Sequence, residues 1–435
     1  MGKRLILVLA LALLVGLTFS AAYAEVQNVK VSGDINILGV ARNDFNMGNS
    51  ATPKLNSRFF ATLTRVRIDA DLTDNVMTTV RLINERDWTA ESTSNTDIDL
   101  DLAYVTLKEF LYSPLTLTLG RQEINFGNSL IMGNSHNYSY TSGSTAIGNL
   151  PVDLSERKAF DAIRATLNYD PLIIDAVYAK LSNSNSITSD ASADLFGVNV
   201  SYDLTKKINV QGYIWDKKDK TATGVINSKK DNVYTVGGLI TAKPIQDLKA
   251  SLEAAYQFGD ARNATDSTAR NAYALQAMAD YTFSKVKFTP AVGAAYTLLS
   301  GPRKNKAETG WSQMFYDQRL GNIAYALLPF SNLQAIGLHA SAKPVEDVTL
   351  TANLTNFRLM EHQPTSIAYT GLDGNTIALT SNRKDLGNEL DVTGLYDYTE
   401  DVQLGLTWGY FAAGKAIASS RGNASELIGS VKVTF

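Results

Sequence analysis

From about residue 29 to its end, the chain repeats one unit: a segment of alternating apolar and polar residues, followed by a break. The breaks themselves alternate between short polar turns and longer loops. A period of two places successive side chains on opposite faces of a strand, and this pattern of turns and loops is typical of transmembrane β-barrels. The repeat therefore predicts an antiparallel barrel, with a soluble β-sandwich as the alternative.

Eight short breaks and nine longer ones set the number of strands. The short breaks lie at 73–75, 112–114, 169–171, 205–207, 244–247, 284–285, 344–347 and 399–401. The longer breaks lie around 43–56, 88–96, 124–156, 182–192, 217–230, 259–270, 300–331, 361–386 and 413–423. Together they join eighteen strands and leave both chain ends in the periplasm. We therefore predict an all-β fold: a transmembrane antiparallel barrel of 18 strands over residues 25–435, with short periplasmic turns and long extracellular loops.

Charged and apolar residues keep to opposite faces of the predicted strands. On one strand, Val66 and Ile68 alternate with Arg65, Arg67 and Asp69. Aromatic residues near strand ends share the apolar face, as the interface girdles of membrane barrels do. These residues are Tyr104, Tyr202, Tyr256, Tyr281, Tyr296, Tyr396, Tyr398, Trp408 and Tyr410. Strand length and this girdle favour the barrel over the sandwich.

Residues 1–24 have the features of a cleavable secretory signal peptide. Lys3 and Arg4 precede an apolar run that ends at Phe19, and Ala22-Tyr23-Ala24 supplies the small residues of a cleavage site. A permanent transmembrane helix is the alternative, although the A-x-A ending favours cleavage. The chain has no cysteine and a formal net charge of -3. We therefore expect neither disulfides nor nucleic-acid binding.

Two segments carry a resemblance to a known family. One strand ends Leu119-Gly120-Arg121-Gln122-Glu123, Phe126-Gly127 follows, and the strand after the long loop begins Ala159-Phe160-Asp161-Ala162-Ile163-Arg164. This pattern resembles the alginate-export family of outer-membrane proteins. The resemblance implies a monomeric, eighteen-stranded porin surrounded by outer-membrane lipid. The terminal Phe435 resembles the signal that such proteins present to the barrel-assembly machinery.

Strand parity and the family pattern together select candidate pore-lining residues. They are Arg65, Arg67, Arg81, Asp97, Asp99, Asp101, Arg121, Glu123, Arg164 and Glu253. Arg65, Arg67 and Arg81 form either a basic ladder or pairs with neighbouring acids, and the nearness of those acids favours pairing. Parity alone directs Arg121 toward lipid. A bulge at Gly120 would instead re-aim Arg121, either into a mouth ion pair with Glu123 or into the lumen.

The longest loops, 124–156 and 300–331, are too apolar to be merely solvated tips. Their candidate constriction residues are His136, Tyr138, Tyr140, Trp311 and Phe315. Such loops either fold inward and narrow the pore or pack over the barrel rim.

The sequence contains no motif for covalent chemistry. It has no G-x-S-x-G, and His136, His339 and His362 lack metal-ligand spacing. We expect no enzymatic activity, cofactor or metal. We predict an outer-membrane porin for diffusion or export of small polar solutes or acidic saccharides through a loop-constricted lumen. The alternatives are a polyuronate exporter of the alginate type and a plugged structural or adhesion barrel.

Overall fold

A computed structural model describes residues 28–47, 54–88, 98–133, 146–147, 150–157, 159–182, 192–219, 231–262, 267–303, 309–363, 366–417 and 422–435. Eighteen strands form one antiparallel sheet. In chain order they are β1 Asn28–Asn43, β2 Ser57–Thr73, β3 Val76–Asp87, β4 Asp99–Leu107, β5 Leu115–Gln122, β6 Phe160–Asn168, β7 Leu172–Ser182, β8 Ala193–Thr205, β9 Ile208–Asp219, β10 Asp231–Ala242, β11 Leu248–Arg262, β12 Ser267–Thr282, β13 Ala291–Leu299, β14 Leu333–Val345, β15 Val348–Leu359, β16 Asp385–Asp397, β17 Val402–Ala413 and β18 Ala424–Thr434.

The sheet closes on itself because β1 pairs with both β2 and β18. Gly33 N–H donates to the carbonyl of Phe435 at 2.8 Å, and Phe435 N–H donates to the carbonyl of Gly33 at 3.0 Å. Closure leaves no free strand edge, so backbone hydrogen bonds are satisfied between neighbours all round the barrel. The predicted eighteen-stranded barrel is confirmed, and the soluble sandwich is not what the chain forms.

The sheet exposes apolar side chains on its outer face and buries polar ones on its inner face, the reverse of the arrangement in a soluble protein. Large apolar side chains on the outer face are exposed, among them Val31, Phe196, Ile214, Leu338 and Leu406. Polar and charged side chains on the inner face are buried, among them Arg42, Glu85, Glu253, Gln276 and Glu389. An apolar exterior around a polar interior is what a bilayer-spanning barrel requires.

Strand β4 departs from the predicted alternation. The register between β3 and β4 shifts between Arg81 and Leu82, so that Asp101 is the extra residue of a β-bulge. Beyond the bulge, Leu102 pairs with Arg81 and Tyr104 pairs with Thr79. The side chains of Arg81 and Thr79 face the lumen, so those of Leu102 and Tyr104 do too. The assignment of Tyr104 to the outer aromatic girdle is therefore wrong, because one inserted residue moves the following side chains to the other face.

The connections differ at the two ends of the barrel, which we name the short-turn end and the long-loop end. The predicted loop at 259–270 is shorter than expected, because β11 runs to Arg262 and β12 begins at Ser267. At the long-loop end several connections fold into the lumen. They include a hairpin of Ile367–Thr370 with Thr376–Leu379, a 3-10 turn at Val152–Leu154, and helix α1 at Asn322–Leu327.

Across the described residues, no helix is long and apolar enough to cross a membrane. The predicted signal peptide lies outside the described residues.

Candidate channel lining and constriction

The inner wall of β1 to β3 carries the first two predicted pore-lining arginines. Arg65 forms ion pairs with Asp34 at 2.9 Å and with Glu156 at 2.6 Å. Arg67 holds Asp69 through two hydrogen bonds, from Nε at 2.8 Å and from Nη2 at 2.9 Å. Both guanidinium groups are thus neutralised locally, as the pairing interpretation expects.

The next two strands repeat this arrangement with help from the loop after β5. Arg81 pairs with Asp101 and with Glu123, at 2.5 Å in each case. Asp99 pairs with Arg157, a loop residue whose Nε also meets Glu85 at 3.1 Å. The wall therefore presents alternating charge rather than a continuous basic ladder.

Arg164 and Glu253 also face the lumen. Arg164 pairs with Asp175 at 2.8 Å, and its guanidinium lies 5.1 Å from the centre of the Phe126 ring. Glu253 is buried and accepts a hydrogen bond from Tyr213 Oη at 2.8 Å. Asp97 lies outside the described residues.

Arg121 occupies neither of the two positions expected for it. It pairs in register with Asp161 on β6, and its Nη1 lies 3.1 Å from Asp161 Oδ2. Asp161 and Ile163 are exposed on the outer face, so this pair lies outside the lumen. Gly120 has a φ of 121°, but the registers of β5 with β4 and with β6 do not shift there. The fixed Arg121–Glu123 pair is therefore wrong, because Glu123 turns inward to Arg81.

Two of the predicted constriction residues lie inside the barrel mouth. Trp311 and Phe315 are buried, and Phe315 contacts the ring of Phe160 on the wall at a centroid distance of 5.1 Å. Phe315 also forms a parallel bridge with Met132, so two long loops pair with each other. His136, Tyr138 and Tyr140 lie outside the described residues.

A loop segment at 318–324 is tied to the wall, and sequence reasoning did not find it. Gln318 and Gln276 exchange amide hydrogen bonds at 2.8 and 3.0 Å. Thr355 Oγ1 donates to the carbonyl of Leu320 at 2.9 Å. The Glu389 carboxylate accepts the backbone N–H groups of Ile323 and Ala324 at 2.6 and 2.8 Å. A sequence signal was the luminal face of Glu389 and Asp391, whose register partners on the adjoining strands carry no charge.

A second unpredicted connection joins the first and last strands to the 150–157 loop. Arg42 is buried and pairs with Glu426 at 2.6 Å and with Asp153 at 2.5 Å. Arg42 and Glu426 are register partners, so their shared luminal parity was a usable signal. The contact with Asp153 spans a long loop and left no local signal.

Burial perturbs two titratable groups in the inward-folded loops. It raises the pKa of Asp373 to about 6, against the lowering effect of a hydrogen bond from the Asn375 backbone. Burial likewise raises the pKa of Tyr369 to about 12. Both residues belong to the 366–384 connection, which packs on α1 through Gly371.

The lumen retains a cavity of about 390 Å³, lined by both polar and apolar residues, between the 318–322 segment and the wall of β12 to β16. Its lining includes Gln276, Asp280, Arg319, His339 and Asn353. Nowhere in the described ranges do three or more His, Asp or Glu side chains cluster in a way that would hold a metal.

Solved structures with the same barrel are numerous. One is OccK3 (OpdO) of Pseudomonas aeruginosa, with a TM-score of 0.58 at 10% identity over 94% of this chain and 96% of that one. A second is OccK2 (OpdF) of the same organism in complex with glucuronate, with a TM-score of 0.57 at 10% identity over 94% and 99%. A third is OpdK of that organism with vanillate, with a TM-score of 0.55 at 10% identity over 93% and 98%. At such identity they show the shared fold.

Sequence comparison supplies the family. No curated protein sequence matches the chain. The alginate export family matches residues 31–430, nearly the whole of the barrel. The closed barrel, its apolar exterior and the charged side chains of its inner wall are those of a channel for small solutes in the bacterial outer membrane. The match over the full barrel shows that the chain belongs to the alginate export family.

Proposed function

We propose that this barrel is a diffusion channel for small polar solutes, with acidic saccharides among them, and that it catalyses no reaction. The observation that carries the proposal is the pairing of the arginine wall. Arg65, Arg67, Arg81 and Arg164 each meet a luminal carboxylate. Paired charges of both signs along one wall provide donors and acceptors for hydroxyl groups, without the strong anion selectivity of a one-sign lining.

An acidic solute is expected to interact most strongly with the more accessible arginines of that wall. The side chains of Arg67 and Arg164 are 36% and 29% exposed, whereas that of Arg81 is 10% exposed. A guanidinium that already shares one carboxylate retains N–H donors for a second. A solute carboxylate is therefore expected to move past these two groups by brief exchange rather than tight binding.

The remaining partners follow from the architecture. The exposed apolar belt takes outer-membrane lipid, and one chain closes the barrel by itself. We expect it to act as a monomer, as the family resemblance implies. We assign residues 1–24 to a removed signal peptide, and the short-turn end to the periplasm. Phe435 is exposed at the end of β18 and would serve as the signal read by the barrel-assembly machinery.

The test is reconstitution of the purified mature chain in planar bilayers and in liposomes. Steady single-channel currents are expected, with a small reversal potential across a salt gradient and swelling in D-glucuronate and in neutral monosaccharides. Absence of channels would overturn the proposal in favour of a plugged structural barrel. Permeation of oligouronates at least as fast as monomers would favour the second candidate, a polyuronate exporter, for which the family match is the supporting observation.

A further inference from the structure

We propose that the cavity beneath α1 is a binding subsite for one small hydroxylated carboxylic acid, such as a hexuronate monomer, and that Arg319 takes its carboxylate. This inference rests on the proposed channel function and names the solute class held at one place in it. The cavity volume, about 390 Å³, lies toward the small end of the roughly 300–1,000 Å³ found for ligand pockets. It suits a single sugar ring better than a chain of them.

Arg319 differs from the paired arginines of the wall. It is exposed within the lumen and lines the cavity. Its Nη2 donates to the backbone carbonyl of Asp153 at 2.9 Å, and its guanidinium lies 5.0 Å from the centre of the Tyr325 ring. Among the residues that the structure describes, no carboxylate lies within ion-pair distance of it. A guanidinium fixed by a carbonyl and a ring face keeps its remaining donors for a planar anion.

The position of Arg319 is set by the anchoring of the residues on either side of it. Gln318 precedes it and is fastened to Gln276 on β12 and to the carbonyl of Asn128, the latter at 2.6 Å. Leu320 follows it and is held by Thr355 on β15. These anchors hold the backbone of Arg319, and the Asp153 carbonyl and the Tyr325 ring hold its guanidinium. The side chain therefore loses little further freedom when it binds, which favours a specific site over a passing contact.

The opposite side of the cavity supplies partners for hydroxyl groups. Asp280, Gly293, His339 and Asn353 are successive register partners on β12 to β15, and together they make a polar row across the wall. His339 Nε2 lies 2.8 Å from Asp280 Oδ1, across the strand that carries Gly293. Asn353 is half-buried, and its side chain has no hydrogen-bond partner among the described residues.

These two sides give the site a direction. Asp280 places negative charge on the wall, so a solute carboxylate is repelled there and attracted to Arg319 on the loop. Hydroxyl groups of the same solute, which both donate and accept, suit the Asp280–His339 pair and the amide of Asn353. A neutral sugar of the same size keeps the hydrogen bonds to the wall and lacks the ionic contact with Arg319.

The test measures concentration-dependent block of channel current by D-glucuronate, D-glucose and a trimeric uronate, in the full mature chain. We expect wild-type block in the order glucuronate, glucose, trimer. In Arg319→Gln, glucuronate block is expected to weaken about 10- to 100-fold while glucose block is kept, because a charge-assisted hydrogen bond is removed. Arg303→Gln is the matched control, because Arg303 lies on the same connection but pairs with Glu361 at 3.0 Å.

Each outcome decides the inference separately from the channel function. Unchanged glucuronate block in Arg319→Gln would overturn the subsite while the wild-type channel still conducts. Equal loss of glucuronate and glucose block would also overturn it, because Arg319 would then act only by holding the loop. Tighter block by the trimer would overturn the commitment to a monomer. Absence of any channel current defeats the proposed function itself, and the subsite with it.

Discussion

Glu389, on strand β16 of the wall, accepts the backbone N–H of Ile323 at 2.6 Å and so fixes the start of helix α1 inside the lumen. The second carboxylate oxygen accepts the N–H of Ala324. These are groups that a helix start leaves without intrahelical partners, and a carboxylate is the acceptor that the helix dipole favours there. The wall of the barrel therefore determines where the constriction lies.

Replacing Glu389 with Gln is expected to loosen α1 and to give a larger, noisier single-channel conductance. The amide keeps one oxygen acceptor and turns an N–H₂ group toward a backbone donor, so at least one hydrogen bond of about 0.5–1.5 kcal/mol is lost. Single-channel recording measures the effect. Glu400→Gln is the matched control, because Glu400 is exposed in a turn at the short-turn end. Identical conductance in the two variants would show that Glu389 does not hold the constriction.

The pairing of Arg67 with Asp69 predicts a compensating pair of substitutions. Arg67→Gln leaves Asp69 uncompensated and should shift the reversal potential toward cation preference. Asp69→Asn should shift it toward anion preference, and the double variant should return it near the wild-type value. The reversal potential across a salt gradient measures all three. If the double variant keeps the full shift of Arg67→Gln, the two groups are not acting as a pair.

The sequence predicted the strand number because turn residues and the period of two are local properties. It placed Arg67 and Arg164 on the lumen face correctly, since each lies in a regular stretch of strand. It failed at Tyr104, because the bulge at Asp101 depends on how β4 fits β3 and has no local signature. One inserted residue was enough to reverse the parity.

The contacts that shape the interior were less accessible to sequence reasoning. Arg81 could be matched with Asp101 from strand spacing, but its second partner Glu123 follows β5, where the chain has left the regular strand. Glu156 and Arg157 reach the wall from the last residues of the long loop before β6. Such pairings depend on tertiary folding of the loops, so the period of the strands carries no information about them.

Gly293 is expected to be intolerant of a side chain. A Cβ there would overlap both the His339 imidazole and the Asp280 carboxylate, which meet across this position. Gly293→Ala should push the ends of these two side chains apart and should destabilise the barrel by about 1 kcal/mol, the low end of overpacking costs, because both side chains are partly exposed and can move. Thermal unfolding in detergent, followed by gel mobility, measures the change.

Gly212 provides the control for that substitution. A Cβ added there meets nothing within 4 Å. Gly212→Ala should therefore be neutral, or stabilising by about 0.5–1 kcal/mol, through the lower entropy of the unfolded chain. Equal loss of thermal stability in the two variants would contradict the steric explanation for Gly293.

The raised pKa of Asp373 predicts that the inward-folded loop at 366–384 is more firmly packed at acid pH. Burial raises its pKa to about 6 from an ordinary value of 3.8, so the packed loop holds a proton that the released loop gives up. Protonation then favours the packed state. This stabilisation is present in full below pH 3.8 and is lost as the pH rises through about 6.

The expected result is lower single-channel conductance at pH 5 than at pH 7.5, because a tightly packed loop narrows the mouth. Asp373→Asn cannot ionise and should show the low conductance at both pH values. Its amide oxygen still accepts the N–H of Asn375, so the packing of the loop is kept. Charged neighbours act in opposite directions, since Asp153 raises the pKa of Asp373 and Arg42 lowers it. If Asp373→Asn retains the wild-type difference between the two pH values, another group controls the loop.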